Sequence, residues 1–326
     1  MNSLYPNKLK FGDLVRVISP SYTYKKISKE QEVIAIDRFE KLGLKISFGC
    51  HVGEEDELES SSVSGRLEDL HEAFADKNVK MIIASSGGYN CNFLLNKINW
   101  ALIKNNHKIF IGMSDITVLS NAIYKMTGLV TYSGPNFRNF GQKKYFDYTL
   151  DYFIKALVSD EDIKVVPSAK WSDDCWQKDQ NKRKLVANNG WWILSEGKGE
   201  GVSLGGNLCS FNLLQGTRYM PSIKNSILMI EDDDISTVGE FSRNFQSLVH
   251  LGDFEKVRGV VFGRFQKKTE MKRELLEKIV SDSICNINMP VIANVDFGHT
   301  DPKITFPIGG LIRIDSDKSE LVILKH

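Results

Sequence analysis

Short apolar runs and helical periodicities alternate over the first 135 residues. Leu14–Ile18, Leu44–Phe48, Val79–Ala84, Ile109–Ile111 and Val130–Tyr132 have the length and apolar content of buried strands. Between them, Lys29–Leu42, Val63–Ala75 and a segment through Leu94 and Leu95 read as helices. After the fourth run, Ile116, Leu119, Ala122 and Ile123 recur at 3.6-residue spacing. Strands alternating with helices predict βαβ units and a parallel sheet. Ligands of such sheets bind outside the carboxyl ends of the strands. Three loops land on that edge: Ser19–Ser21, Ser86–Asn90 and Gly112–Asp115.

The pattern changes after Pro135. Tyr145–Leu157 reads as a helix, and Val165–Pro167 leads into a long polar stretch, Ser168–Asn189, that carries Trp171 and Trp176. A loop of this length in a compact domain is functional or disordered, and large aromatics argue against disorder. Its tryptophans suit either a stacking platform for a ring or an anchor to the protein body or a dimer contact. From Gly190 the strand candidates are Trp192–Leu194, Gly201–Leu204, Ile227–Ile230, Val257–Phe262, Val291–Val295 and Leu311–Ile314. Helical patterns are fewer: Leu208–Leu214, Phe241–Leu251 and Glu270–Ser281. The reading is an α/β domain over residues 1–165, a connecting loop over 166–190 and a β-rich domain over 191–326.

Composition adds exclusions. The 326 residues are 42% apolar and 25% charged with a net charge of +1, a globular balance with no basic field for nucleic acid. No apolar run approaches the roughly 20 residues that cross a bilayer. Five scattered cysteines (Cys50, Cys91, Cys175, Cys209 and Cys285) form no C-x-x-C pair, which predicts reduced thiols and a cytoplasmic protein. No P-loop occurs, and Gly197–Gly201 leads into no helix, so no nucleotide cofactor is expected.

The chemistry concentrates at Ser114. It sits where a strand turns sharply into a helix, which exposes a hydroxyl beside free helix-start amides. Nucleophilic catalysis needs that pairing, although the turn lacks the full G-x-S-x-G pattern because residue 116 is Ile. The same local pattern also describes an N-cap serine with Asp115 as a first-turn acid. Gly87-Gly88 either lets a backbone approach a ligand or makes a plain tight turn. Of six histidines, His299 alone follows a strand end through a loop bounded by glycine and proline. Glu231, delivered by the run Ile227–Ile230, is the best-placed acid to orient it. Asp232–Asp234 beyond it lack calcium-loop spacing and read as solvated or ion-paired acids, with a metal-hydrolase use as the competing option.

Taken together, several segments resemble the LD-carboxypeptidase family of serine peptidases, and most closely its microcin C self-immunity branch. They are Gly12-Asp13 with Ser19-Pro20-Ser21, Gly87 to Asn92, Ile111 to Thr117, Gly134-Pro135, Gly205-Gly206-Asn207-Leu208, Leu214 to Thr217, Ile230-Glu231-Asp232, Gly263-Arg264-Phe265, Asp296 to Thr300 and Pro307 to Gly310. The resemblance implies a triad of Ser114, His299 and Glu231, and oxyanion donors at Gly88 and Asp115. It implies a substrate-side Asn207 and a flavodoxin-like domain joined to a β-rich, swivelling-type α/β domain, as a homodimer. It offers two small-molecule substrates, an aminoacyl group joined to a modified nucleotide or a murein tetrapeptide. The loop from Trp171 to Arg183 resembles the immunity-type loop, in which a tryptophan stacks on the base; Trp176, nearer its middle, is the favoured candidate over Trp171. Met113 stands where the family often has an aromatic residue, and Cys91 where this branch usually has serine.

Overall fold

The computed structural model describes residues 3–284 and 288–326, so Cys285 lies outside the described residues. The strands are β1 Leu14–Ile18, β2 Lys45–Phe48, β3 Val79–Ala84, β4 Ile109–Gly112, β5 Thr131–Ser133, β6 Ile163–Val165, β7 Lys170–Trp171 and β8 Val186–Ala187. They continue as β9 Trp192–Ser195, β10 Lys198–Asn207, β11 Ser226–Glu231, β12 Gly259–Gly263, β13 Val291–Val295, β14 Phe306–Ile308, β15 Leu311–Asp315 and β16 Glu320–Lys325. The α-helices are α1 Lys29–Lys41, α2 Val63–Ala75, α3 Trp100–Asn105, α4 Ile116–Thr127, α5 Asp147–Val158, α6 Leu208–Asn212, α7 Val238–Val249 and α8 Arg273–Ser283.

The first sheet runs β14-β5-β4-β3-β1-β2. Its five N-terminal strands are parallel in flavodoxin-like order, as the alternating pattern requires. β4 is buried at every position because helices cover both faces of a central parallel strand. Local signals set the helix ends. Ser28 and Gln31 form a capping box on α1, and α4 stops at Gly128, whose left-handed φ of 81° terminates a helix at low cost.

The second sheet runs β6-β16-β15-β10-β11-β12-β13-β9. β10 to β13 are parallel, and antiparallel strands flank them. The boundary placed at residue 165 is crossed in both directions. β6, from the N-terminal side, pairs with β16, and β14, from the C-terminal side, extends the first sheet against β5. Edge pairing joins chain ends that no local pattern connects.

Smaller differences have local causes. Leu94 and Leu95 lie in a 3-10 helix rather than an α-helix. The run from Val257 starts as strand only at Gly259, because a 3-10 turn over Phe254–Lys256 ends there. The long polar stretch carries one short hairpin, β7-β8. Cys50, Cys91, Cys175 and Cys209 are free thiols. Among the described residues, no helix is long and apolar enough to cross a membrane.

Candidate active site

Ser114 follows β4 in the left-handed region at φ 65°. That backbone costs a non-glycine residue roughly 1–2 kcal/mol, so its surroundings must enforce it. Asn136 Oδ1 accepts from the Met113 amide at 3.0 Å, which fixes the peptide before the serine. The Thr117 amide donates to the Ser114 carbonyl at 2.9 Å, which starts α4 immediately after it. A Cβ on Gly87 would lie 2.7 Å from the Ser114 Cβ and 2.9 Å from its Oγ. Only a glycine lets that loop lie against the hydroxyl.

The hydroxyl does not cap the helix. It lies 3.1 Å from His299 Nε2, and His299 Nδ1 lies 2.7 Å from Glu231 Oε2. Serine comes from the first sheet, glutamate from the end of β11 in the second, and histidine from the loop after β13. Glu231 is buried, while the His299 side chain keeps 22% of its surface exposed. The approach depends on Gly298 at φ 96°, since a Cβ there would fall 2.7 Å from Glu231 Oε2.

Electrostatics favour a charged His299. Burial works against the His299 imidazolium, but the adjacent Glu231 carboxylate outweighs it by charge and hydrogen bond and lifts His299 to about 9. Asp232 is also buried. Loss of hydration, then the charges of Glu231 and Asp233, push its carboxyl up to about 7. This corrects the reading of Asp232 as a solvated acid: it turns inward, and its Oδ1 accepts from the Asp233 amide at 3.0 Å. Among the described residues, no group of three or more His, Cys, Asp or Glu is arranged to hold a metal ion.

Asp115 binds the three edge loops together. Its buried Oδ2 accepts from Ser21 Oγ at 2.6 Å and from the Cys91 amide at 2.9 Å. The Gly88 and Asp115 amides have no hydrogen-bond partner among the described residues. Asp115 directly follows the serine, and Gly88 follows Gly87, whose Cα lies against the serine hydroxyl. Asn207 ends β10 in register with Glu231. Its Oδ1 caps α6 through the Ser210 amide at 3.0 Å, and its own amide donates to Thr117 Oγ1 at 3.0 Å.

The two tryptophans part company. Trp176 is 2% exposed and anchors the loop, so it presents no open face in this arrangement. Trp171 is half-buried, with the Arg264 guanidinium 5.1 Å and the Lys267 ammonium 4.9 Å from its ring centre. A cavity of about 730 Å³ lies elsewhere, near the start of β1 and β3, lined by Lys8, Lys10, Lys77, Lys80 and Lys108 among others. None of the candidate site residues named from the sequence lines it.

The sequence reading offered Gly87 for a close backbone approach and placed Asp296 and Gly298 in a segment around His299, but it gave no spacing role to Gly298 and no partners to Asp296 and Asp301, which lie on either side of His299.

Residues 15–134 match the LD-carboxypeptidase N-terminal domain, and residues 200–314 match the LD-carboxypeptidase C-terminal domain. The chain is 44% identical to the Bacillus subtilis protein YocD over 99% of this chain and 100% of that one. A crystal structure of an MccF-like protein from Bacillus anthracis is 45% identical, covers 99% of this chain and 100% of its own, and superimposes with a TM-score of 0.97. The Escherichia coli microcin C7 self-immunity protein MccF is 29% identical over 98% of this chain and 95% of its own. Its structure in complex with glutamyl sulfamoyl guanosine covers 98% of each chain with a TM-score of 0.89. By domain matches, whole-length identity and fold, the chain belongs to the LD-carboxypeptidase family of serine peptidases.

Proposed function

We propose that the chain is a serine hydrolase that cleaves the acyl bond between an aminoacyl group and a modified nucleotide, with Ser114 as nucleophile, His299 as base and Glu231 as the acid that orients it. The observation that carries the chemistry is the continuous contact Ser114 Oγ–His299 Nε2–His299 Nδ1–Glu231 Oε2, built across two sheets. His299 takes the Ser114 proton as Oγ attacks the acyl carbon. The Gly88 and Asp115 amides receive the oxyanion, and each such donor is worth about 2.7–4 kcal/mol. The imidazolium then protonates the leaving nitrogen. Water, activated by the same histidine, releases the acyl group from Ser114.

The nucleotide side of the reading draws on MccF, whose structure holds an aminoacyl sulfamoyl nucleoside, and on the ring of Trp171, whose neighbour Ser172 pairs with the loop that carries His299. Trp171 is better suited than Trp176 to stack on a base, because part of its surface is open. Such stacking is worth roughly 1–3 kcal/mol per base. Asn207, in register with Glu231, is assigned to the substrate side. The family's carboxypeptidase activity supports a second substrate, a murein tetrapeptide ending in D-alanine.

Parallel hydrolysis of glutamyl sulfamoyl guanosine and such a tetrapeptide tests the reading, with Ser114→Ala as the blank. Cleavage of the nucleoside alone by the wild type supports the proposal. Cleavage of the tetrapeptide alone overturns the substrate assignment, and turnover by Ser114→Ala overturns the nucleophile.

A further inference from the structure

Besides its own hairpin, the connecting loop is fastened to the loop that carries His299. Ser168 donates to Asp296 through its amide at 2.9 Å and its hydroxyl at 2.6 Å. Arg264 Nη1 pairs with the same carboxylate at 2.5 Å, and the Arg264 guanidinium lies over Trp171. On the other side of the histidine, Ser172 and Asp301 exchange backbone hydrogen bonds of 2.7 and 2.8 Å. The Asp301 carboxylate also pairs with Arg183 Nη2 at 3.4 Å, with Lys303, and with Gln142 Nε2 at 3.2 Å. Arg183 Nη1 donates to Gln142 Oε1 at 2.6 Å, which closes the cluster. The side chains of Arg183, Asp301 and Lys303 are 1%, 8% and 4% exposed.

A buried ion cluster of this kind adds little net stability but is costly to break, because the remaining charge is left unpaired. It is suited to fixing a geometry. His299 lies three residues after one of these carboxylates and two before the other. Its loop therefore cannot shift without disturbing residues 168–183.

We propose that Arg183, acting through Asp301, is a positioning residue for His299, so that the tryptophan-bearing loop holds the base at the distance proton transfer requires. The proposal rests on the reading of His299 as the base. It makes the loop part of the catalytic apparatus and ties Trp171, through Arg264 and Asp296, to the same histidine.

The charges that face His299 set the expected signature. Glu231 and Asp233 favour its charged form, and Lys303 opposes it. Arg183 and Lys303 together offset Asp301. Removing Arg183 leaves Asp301 less neutralised and so favours the imidazolium.

The test is the rate at which a fluorophosphonate probe labels Ser114, measured across pH. It needs no knowledge of the natural substrate. Arg183→Ala is expected to label between about tenfold and a hundredfold more slowly at neutral pH, the loss that small misplacements of a reacting group produce. Its pH–rate midpoint is expected to move upward. Arg183→Lys keeps the charge without the two-nitrogen fork, so it should restore the midpoint and leave part of the rate defect. Labelling by Arg183→Ala within about twofold of wild type, with an unmoved midpoint, overturns the proposal. If Arg183→Ala does not fold, Arg183→Lys decides, and an undiminished rate in it overturns the proposal. Wild-type protein that labels no faster than Ser114→Ala would instead defeat the reading of the nucleophile and base.

Discussion

The serine side and the histidine side of the site are held by different means. Ser114 is fixed by its own backbone: a strand end pinned by Asn136, a left-handed turn, and a helix that starts at once. One buried carboxylate, Asp115, joins that turn to the two neighbouring loops. His299, the proposed base, has no such local frame. Its loop is held by Glu231 across the sheet and by Asp296 and Asp301, which reach a segment more than a hundred residues earlier. The proposed nucleophile is thus a local construction carrying local strain, and the proposed base is a long-range one held by charge. Substitutions that remove charge should therefore injure the histidine side more than the serine side.

The largest effect expected is that of Glu231→Gln. It preserves shape but removes the charge that supports the imidazolium. Turnover should fall on the order of 10⁴-fold, as in triads that lose their acid. The pH midpoint should also drop, because the Glu231 charge and hydrogen bond that outweigh burial at His299 are weakened. A pH–rate profile of wild type and variant checks both. In the wild type, kcat/KM should climb with pH through a midpoint above 7, since only the neutral imidazole accepts a proton.

Gly298→Ala should come next. Its Cβ would collide with Glu231 Oε2, and a backbone at φ 96° strains any other residue. A rate loss of about a hundredfold is expected from the displaced pair, with about 1–3 kcal/mol of lost stability. Gly252→Ala, where a Cβ meets nothing within 4 Å, is the control and should leave turnover unchanged.

On the serine side, Asp115→Asn leaves an acceptor but removes its charge. Urea denaturation should show a loss of about 1–3 kcal/mol, with a smaller fall in turnover than Gly298→Ala gives. A turnover loss as large as that of Glu231→Gln would break the comparison, because it would make the serine side equally dependent on charge.

The smallest effect concerns stability against pH. His299 is near 9 in the fold and near 6.5 when unfolded, so the stability it contributes is complete below 6.5 and is lost as pH rises through 9. Asp232 is near 7 in the fold and near 3.8 when unfolded, so its neutral form favours folding below 3.8, and that contribution is lost as pH rises through 7. Both predict a melting temperature that falls as pH rises. Asp232→Asn should flatten the fall between those two values and raise Tm above pH 7 by a few degrees, each kcal/mol appearing as about 2–4 °C. An unchanged slope in that variant would place the pH response elsewhere.

The alternation of apolar runs with helical periods was enough for the parallel sheet and for the edge where the three loops meet, because strand and helix periods are local properties of the chain. The turn at Ser114 was legible for the same reason. Its competing reading as a helix cap was not separable there, since both need the same short turn and differ only in what the hydroxyl meets. His299 and Glu231 stood out as strand-end residues, but their contact was not legible. It depends on β10 to β13 pairing in parallel and on Gly298 leaving room for the carboxylate.

The connecting loop shows the limit most clearly. Its tryptophans were visible, yet Trp176 is buried and Trp171 half-open, a distinction that periodicity in an irregular polar segment cannot make. The exchange of edge strands β6 and β14 between the halves was equally out of reach. By itself the sequence determined which elements form and which chemistry-bearing side chains stand at their ends. Only the tertiary structure decided which of them meet, because register, edge pairing and buried ion clusters depend on residues far apart in the chain, and their energies exist only once those residues are in contact.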